Sequence, residues 1–305
     1  MSAAGSLRAL LARSIDYAGT FPPCSLDLQP ALQNQSHYVR SPDAWMLGAF
    51  VLSVDQFSAA KEHLSQFDPA HPLHVSALGP KTKNVAVFRD ALVETVAAIR
   101  SFSASNVDLI SISQLEMALP PGVDSNVLKE VREAVGNLTT FWEMPADTAE
   151  RTIDLLAENN SNTNDQPLGY KLRTGGVTAD VFPSCAQVAK ALVVPAKHQV
   201  PIKFTAGLHH PIRQFREEVQ TKMHGFLNVL GAAVLAAEHK WDEQQTSRML
   251  ADEDKNSFCF DDEFFAWREW RIDVKRLEAR RRFVTSFGSC SFDEPREDLR
   301  ALGFL

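Results

Sequence analysis

The feature that most constrains this chain is a repeated alternation. Apolar stretches of about 5–8 residues, the length of buried strands, are followed by segments whose apolar residues recur at helical spacing. Strand candidates fall at residues 45–54, 74–78, 109–112, 139–144, 168–174, 201–206, 224–230 and 282–287. Helical spacing covers 55–67, 84–101, 124–135, 146–158 and 184–194. Strand–helix alternation repeated this often implies a parallel sheet with helices packed on it. Eight strand slots predict an α/β fold of the (β/α)8-barrel kind, with an open doubly wound sheet as the alternative. No G-x-G-x-x-G follows the first strand candidate, so a dinucleotide-binding version has no support.

Residues 1–40 precede the first strand candidate and are expected to form an N-terminal helical extension, with 41–305 as one barrel domain. Residues 224–230 read either as a short seventh strand or as helix throughout. Residues 264–281, rich in aromatic and charged side chains, read as a helix. A closing helix is expected near 295–301, capped by Asp293. The polar run 158–166, ENNSNTNDQ, reads as an exposed loop. The segment DYAGTFPP, with Gly19, Pro22 and Pro23, fixes a turn that serves either as structure or as a lid.

The net charge of -7 argues against a nucleic-acid or membrane-surface partner, since both require a basic face. No apolar run reaches transmembrane length, and no secretory pattern opens the chain. Cys24, Cys185, Cys259 and Cys290 are scattered without a C-x-x-C pair. That excludes a cysteine zinc motif and suggests reduced thiols in the cytoplasm. A homo-oligomer is compatible with this composition.

In such barrels chemistry sits at the C-terminal ends of the strands. The stretch GYKLRTGG puts Lys171 and Arg173 on one strand face by period two. Buried together they need counter-charges or an anionic ligand, and Gly175 and Gly176 would let backbone N–H groups approach that ligand. The bland reading pairs both cations with a core carboxylate such as Glu143. In PIKFTAGLHHP, Lys203 and Thr205 share a face and His209 and His210 follow. Desolvation and a neighbouring cation such as Lys171 would lower the Lys203 pKa and free its lone pair. The alternative is a lysine paired with a carboxylate.

Over about seven residues this stretch is similar to the V-K-T-S-T-G strand of the deoxyribose-phosphate aldolase family, departing at Phe204 and Ala206. That resemblance implies a Schiff-base role for Lys203. Glu143, at the end of the fourth strand candidate, is the best general acid or base, with Glu116 second. Gly288, Ser289 and Ser291 lie between the last strand and the closing helix, where many barrels hold phosphate. The plainer reading there is a capping serine. The expectation is an enzyme acting on a small phosphorylated or carboxylated metabolite by lyase (aldolase-like) or isomerase chemistry, with no cofactor. Lys203, Glu143, His209 and His210 would be catalytic. Lys171, Arg173, Gly175, Gly176, Thr205, Ser289 and Ser291 would bind substrate. The alternatives are a metal-dependent barrel enzyme using His209, His210 or His224 with a carboxylate, and a non-catalytic metabolite-binding protein.

Overall fold

The computed structural model describes residues 3–145, 148–163 and 165–305. Eight parallel strands close into a barrel. They are β1 (Ile15–Tyr17), β2 (Leu47–Ser53), β3 (Leu73–Leu78), β4 (Ile110–Ala118), β5 (Thr139–Glu143), β6 (Leu168–Arg173), β7 (Ile202–Thr205) and β8 (Val284–Ser289). Each strand pairs with the next, and β1 pairs with β8 to complete the ring. Helices connect most of the strands and cover the outside. Among them are Leu28–Tyr38, Val85–Ala104, Ser125–Val135, Ala149–Ser161 and Cys185–His198. The predicted start of the fourth of these, at Ala146, lies outside the described residues. No described helix is long and apolar enough to cross a membrane.

The strand count of eight matches expectation, but two of its members differ. Residues 1–40 are not merely an extension, because β1 lies inside them. Its three residues, one of them Asp16, are too short and too polar to register as an apolar run. Residues 224–230 contribute no strand. Gly225 caps the helix Phe226–His239, which is buried almost all round. A helix covered on every side shows no apolar stripe, so its period is unreadable.

The connection from β7 to β8 is long. Residues 264–281 are not one helix. Phe264–Trp267 and Trp270–Asp273 form an antiparallel hairpin in a three-stranded sheet, and only Val274–Arg281 is helical. The turn is Arg268–Glu269, with Arg268 at φ 52°. No glycine or asparagine marks it. Asp252 holds it instead, accepting from Arg268 Nε at 3.0 Å and from Trp267 Nε1 at 3.0 Å.

The seam between β1 and β8 joins the two ends of the chain. Arg281, half-buried, donates to the carbonyls of Val284 and Thr285 and, at 3.0 Å, of Ala12. Phe287 is fully buried on β8, beside Ile15 of β1 and Phe204 of β7, and stacks on Phe226 with ring centroids 5.1 Å apart. Phe287→Ala is expected to cost about 3–5 kcal/mol, as large-to-small changes in a tight core do. Urea unfolding measures it. A loss under about 1 kcal/mol would mean the seam repacks freely.

Candidate active site

Six charged side chains from five strands form one alternating chain at the centre of the barrel. Lys203 Nζ on β7 lies 2.6 Å from Asp16 Oδ2 on β1 and 2.5 Å from Glu116 Oε1 on β4. The other oxygen of Glu116, Oε2, lies 2.9 Å from Lys171 Nζ on β6. Lys171 Nζ also lies 3.0 Å from Glu143 Oε2 on β5. Glu143 Oε1 in turn lies 3.4 Å from Arg173 Nε. The order is Asp16–Lys203–Glu116–Lys171–Glu143–Arg173, three acids alternating with three bases.

The remaining lone pairs are filled by neutral donors. Ser286 Oγ donates to Asp16 Oδ2 at 2.6 Å, and the Ala49 N–H donates to Asp16 Oδ1 at 2.6 Å. Ser76 Oγ donates to Glu116 and accepts from Lys203 at 3.4 Å. Gly48 is required by this packing, because a Cβ there would run into the Asp16 carboxylate.

Charges buried this deeply survive only when paired. Burial alone would pull the Lys203 ammonium down. Attraction and hydrogen bonds from Asp16 and Glu116 outweigh that, and its pKa stands above the ordinary 10.5. The neighbouring cation Lys171 therefore does not free the Lys203 lone pair, because Glu116 lies between the two. Burial pushes the Glu116 carboxyl up, but Lys171 and Lys203 draw it well below the ordinary carboxylate range. Glu143 is likewise lowered, with Lys171 and Arg173 overcoming its burial. Both glutamates are ionised at neutral pH, so each accepts protons before it can donate one.

A cavity of about 610 Å³ opens above this chain, at the C-terminal ends of the strands. Glu116, Glu143, Lys171 and Arg173 line it, together with Gly176, Thr205, Gly288 and His209. Lys203 lies beneath it with its side chain 1% exposed and is not among the lining residues. Of the two buried lysines, Lys171 is thus the one that borders the cavity. Arg173 is exposed and has its one carboxylate contact at the far end of the chain, and the exposed Lys81 stands at the same rim.

The other expected residues divide clearly. Gly175 packs against Phe182, where a Cβ would strike the ring, and does not line the cavity. Ser289 is buried and is not among the residues that line the cavity, and Ser291 Oγ accepts from the Glu294 N–H at 3.1 Å. The serine is thus a helix cap. Asp293 lies inside the first turn of the helix Asp293–Leu302 and makes no cap bond. That turn carries Asp293 and Glu294, whose charges oppose a phosphate there.

His209 Nδ1 lies 3.2 Å from Glu294 Oε2, which assigns that nitrogen the donor role and leaves Nε2 for proton exchange. His210 Nδ1 lies 2.6 Å from Asp298 Oδ2 and is not among the lining residues. His224 is held neutral by burial, its pKa pushed down to about 4. Its Nε2 bonds the Pro183 carbonyl at 2.7 Å and its Nδ1 faces Arg213 Nη1 at 3.2 Å. The arginine occupies the lone pair a metal would need. Among the described residues no three His, Cys, Asp or Glu side chains gather in a metal-holding group.

The sequence reading missed Asp16, Ser76, Lys81 and Ser286. Asp16 had a signal, an aspartate set between isoleucine and tyrosine in an otherwise apolar segment. Lys81 and the serines had none. No protein-family model matches the chain, and comparison with curated proteins returns no relative.

Lys203→Met is expected to cost about 3–5 kcal/mol at pH 7, because it orphans Asp16 and half of Glu116. The sign with pH follows from the shifts. Glu116 stabilises the fold above the ordinary carboxylate value of 4.5 and loses that contribution as pH falls below it. Lys203 stabilises below the ordinary 10.5 and loses its contribution as pH rises past its raised value. The deficit of the variant against wild type should therefore shrink as pH falls into the carboxylate range, where the orphaned acids protonate. Urea unfolding at neutral and acid pH reads this directly, and a deficit that stays constant or grows contradicts it.

Proposed function

We propose that this protein is an enzyme that joins a small anionic carbonyl metabolite to Lys171 and carries out aldolase-type carbon–carbon cleavage or isomerisation on the imine. The observation that carries the reading is the position of Lys171 Nζ. It faces a small-molecule cavity while held 2.9 Å and 3.0 Å from two ionised carboxylates. Lys203, for which the sequence left open a Schiff-base role or pairing with a carboxylate, makes two such pairings beneath the cavity, out of reach of a ligand. It instead anchors Glu116.

The chemistry uses this chain's residues as follows. A bound carbonyl displaces water from the cavity, and the Lys171 ammonium passes a proton to Glu143, the more exposed of its two carboxylate partners. The amine attacks the carbonyl carbon to give a carbinolamine. Protonation of its hydroxyl, from Glu143, expels water and leaves a protonated imine. Its positive charge then occupies the place of the ammonium, between Glu116 and Glu143, so the pre-set carboxylates stabilise it without rearrangement. The imine draws electrons from the bond to be broken and makes cleavage or proton loss at the adjacent carbon accessible. His209, oriented by Glu294, is placed to take or return that proton. Arg173 and Lys81 at the rim supply the charge for a carboxylate or phosphate.

Borohydride reduction in the presence of small carboxylated or phosphorylated aldehydes and ketones tests this. The expected result is a stable adduct that peptide mapping places on Lys171, absent from Lys171→Arg, which keeps the charge but cannot form the imine. No adduct with any carbonyl, or adducts confined to surface lysines, would leave a non-catalytic anion-binding barrel as the better reading.

A further inference from the structure

Two cysteines stand apart from the ionic chain yet meet at the cavity mouth. Cys290 follows β8, is 5% exposed and lines the cavity. Cys24 is exposed and belongs to the loop after β1, whose Phe21 and Pro22 also line the cavity. Backbone bonds shape that loop. The Ala18 N–H donates to the Ser289 carbonyl at 2.7 Å, Ser25 N–H to Phe21 at 3.0 Å, and Leu26 N–H to Gly19 at 2.9 Å. The result brings the two Sγ atoms within 2.6 Å, with both thiols free. These residues are 266 apart in sequence, so only closure of the barrel between β1 and β8 makes them neighbours.

We infer that Cys24 and Cys290 are an oxidation site, a thiol pair that a peroxide converts to a disulfide fastening the rim loop to the end of β8. The step balances as follows. The Cys24 thiolate attacks the peroxide, the O–O bond breaks, and an alcohol or water leaves with one oxygen while Cys24 becomes a sulfenic acid. The Cys290 sulfur then attacks the Cys24 sulfur. The S–O bond breaks and the departing hydroxide takes the Cys290 proton as water. Two thiols lose two electrons and two protons in all, and the peroxide gains them. Exposure sets the order: Cys24 meets the oxidant, while Cys290 is buried and pushed up to about 12 by burial first and its Cys24 neighbour second. Among the described residues the other two thiols have no sulfur neighbour: Cys259 is exposed on the hairpin sheet and Cys185 opens the helix Cys185–His198. The disulfide would fix Phe21 and Pro22 where a ligand enters. This inference does not depend on imine chemistry at Lys171.

The full chain treated with a small excess of hydrogen peroxide provides the test. Free thiols should fall from four to two, with an intact-mass loss of about 2 Da as a disulfide requires. Digestion should release a Cys24–Cys290 linked peptide, and a thiol reductant should restore all four. Cys24→Ser, a change at an exposed position, should show no loss of 2 Da under the same treatment. Hydrogen exchange across residues 18–26 should slow several-fold in the oxidised protein. Four thiols persisting, a cross-link through Cys185 or Cys259, or sulfinic acid at Cys24 with Cys290 still reduced would each overturn the inference.

Discussion

Glu116 is bonded through both its oxygens to buried ammonium groups, and the interior of this barrel depends on that arrangement. A parallel barrel normally fills its centre with branched apolar side chains. Here the centre holds ions instead, stabilised by one another and by neutral donors from Ser76, Ser286 and the Ala49 N–H. Each has an opposite charge within 3.4 Å, and acids alternate with bases along the chain. Such a network contributes little net stability over an apolar core of the same volume. What it contributes is position. Lys171 and Glu143 cannot drift, because each is fixed through a neighbour that is itself fixed from another strand.

The network also separates two lysines that look equivalent in sequence. They are register partners on adjacent strands, Lys171 opposite Lys203. One contacts Asp16 and Ser76 below the cavity floor, and the other contacts Glu143 at the floor itself. Depth therefore divides the work. The lower lysine holds Glu116 ionised and in place, and the upper one borders the cavity. The loop after β1, which also carries Cys24, lines the same cavity through Phe21 and Pro22. Barrel closure, the ionic chain and the rim are thus coupled through β1, the strand that brings Asp16 to the centre.

Much of this was legible in the sequence, for reasons that also explain the gaps. The strands carrying Glu143, Lys171 and Lys203 are apolar runs bounded by turns, so period two places their charged residues correctly. The pairing of Lys171 and Arg173 with Glu143, weighed as the plainer reading, is the geometry observed. β1 escaped because three residues with a central aspartate carry no run to detect. The hairpin at 264–273 escaped because its turn uses Arg268 in a left-handed conformation rather than glycine, under tertiary control from Asp252. The identity of the accessible lysine was not legible at all, since it depends on how far each side chain lies from the mouth. That is a property of the closed ring rather than of either strand.

The proposed division between the two lysines requires Lys203 to be a charged anchor and not a nucleophile. Carbon-13 NMR of the lysine side chains, titrated on wild type and assigned with Lys203→Met, measures that charge directly. The Lys203 resonance is expected to keep its ammonium shift through pH 10.5, the ordinary lysine value, and to move only above it. A Lys203 that titrates near neutral pH would overturn this division and make that residue the reactive amine.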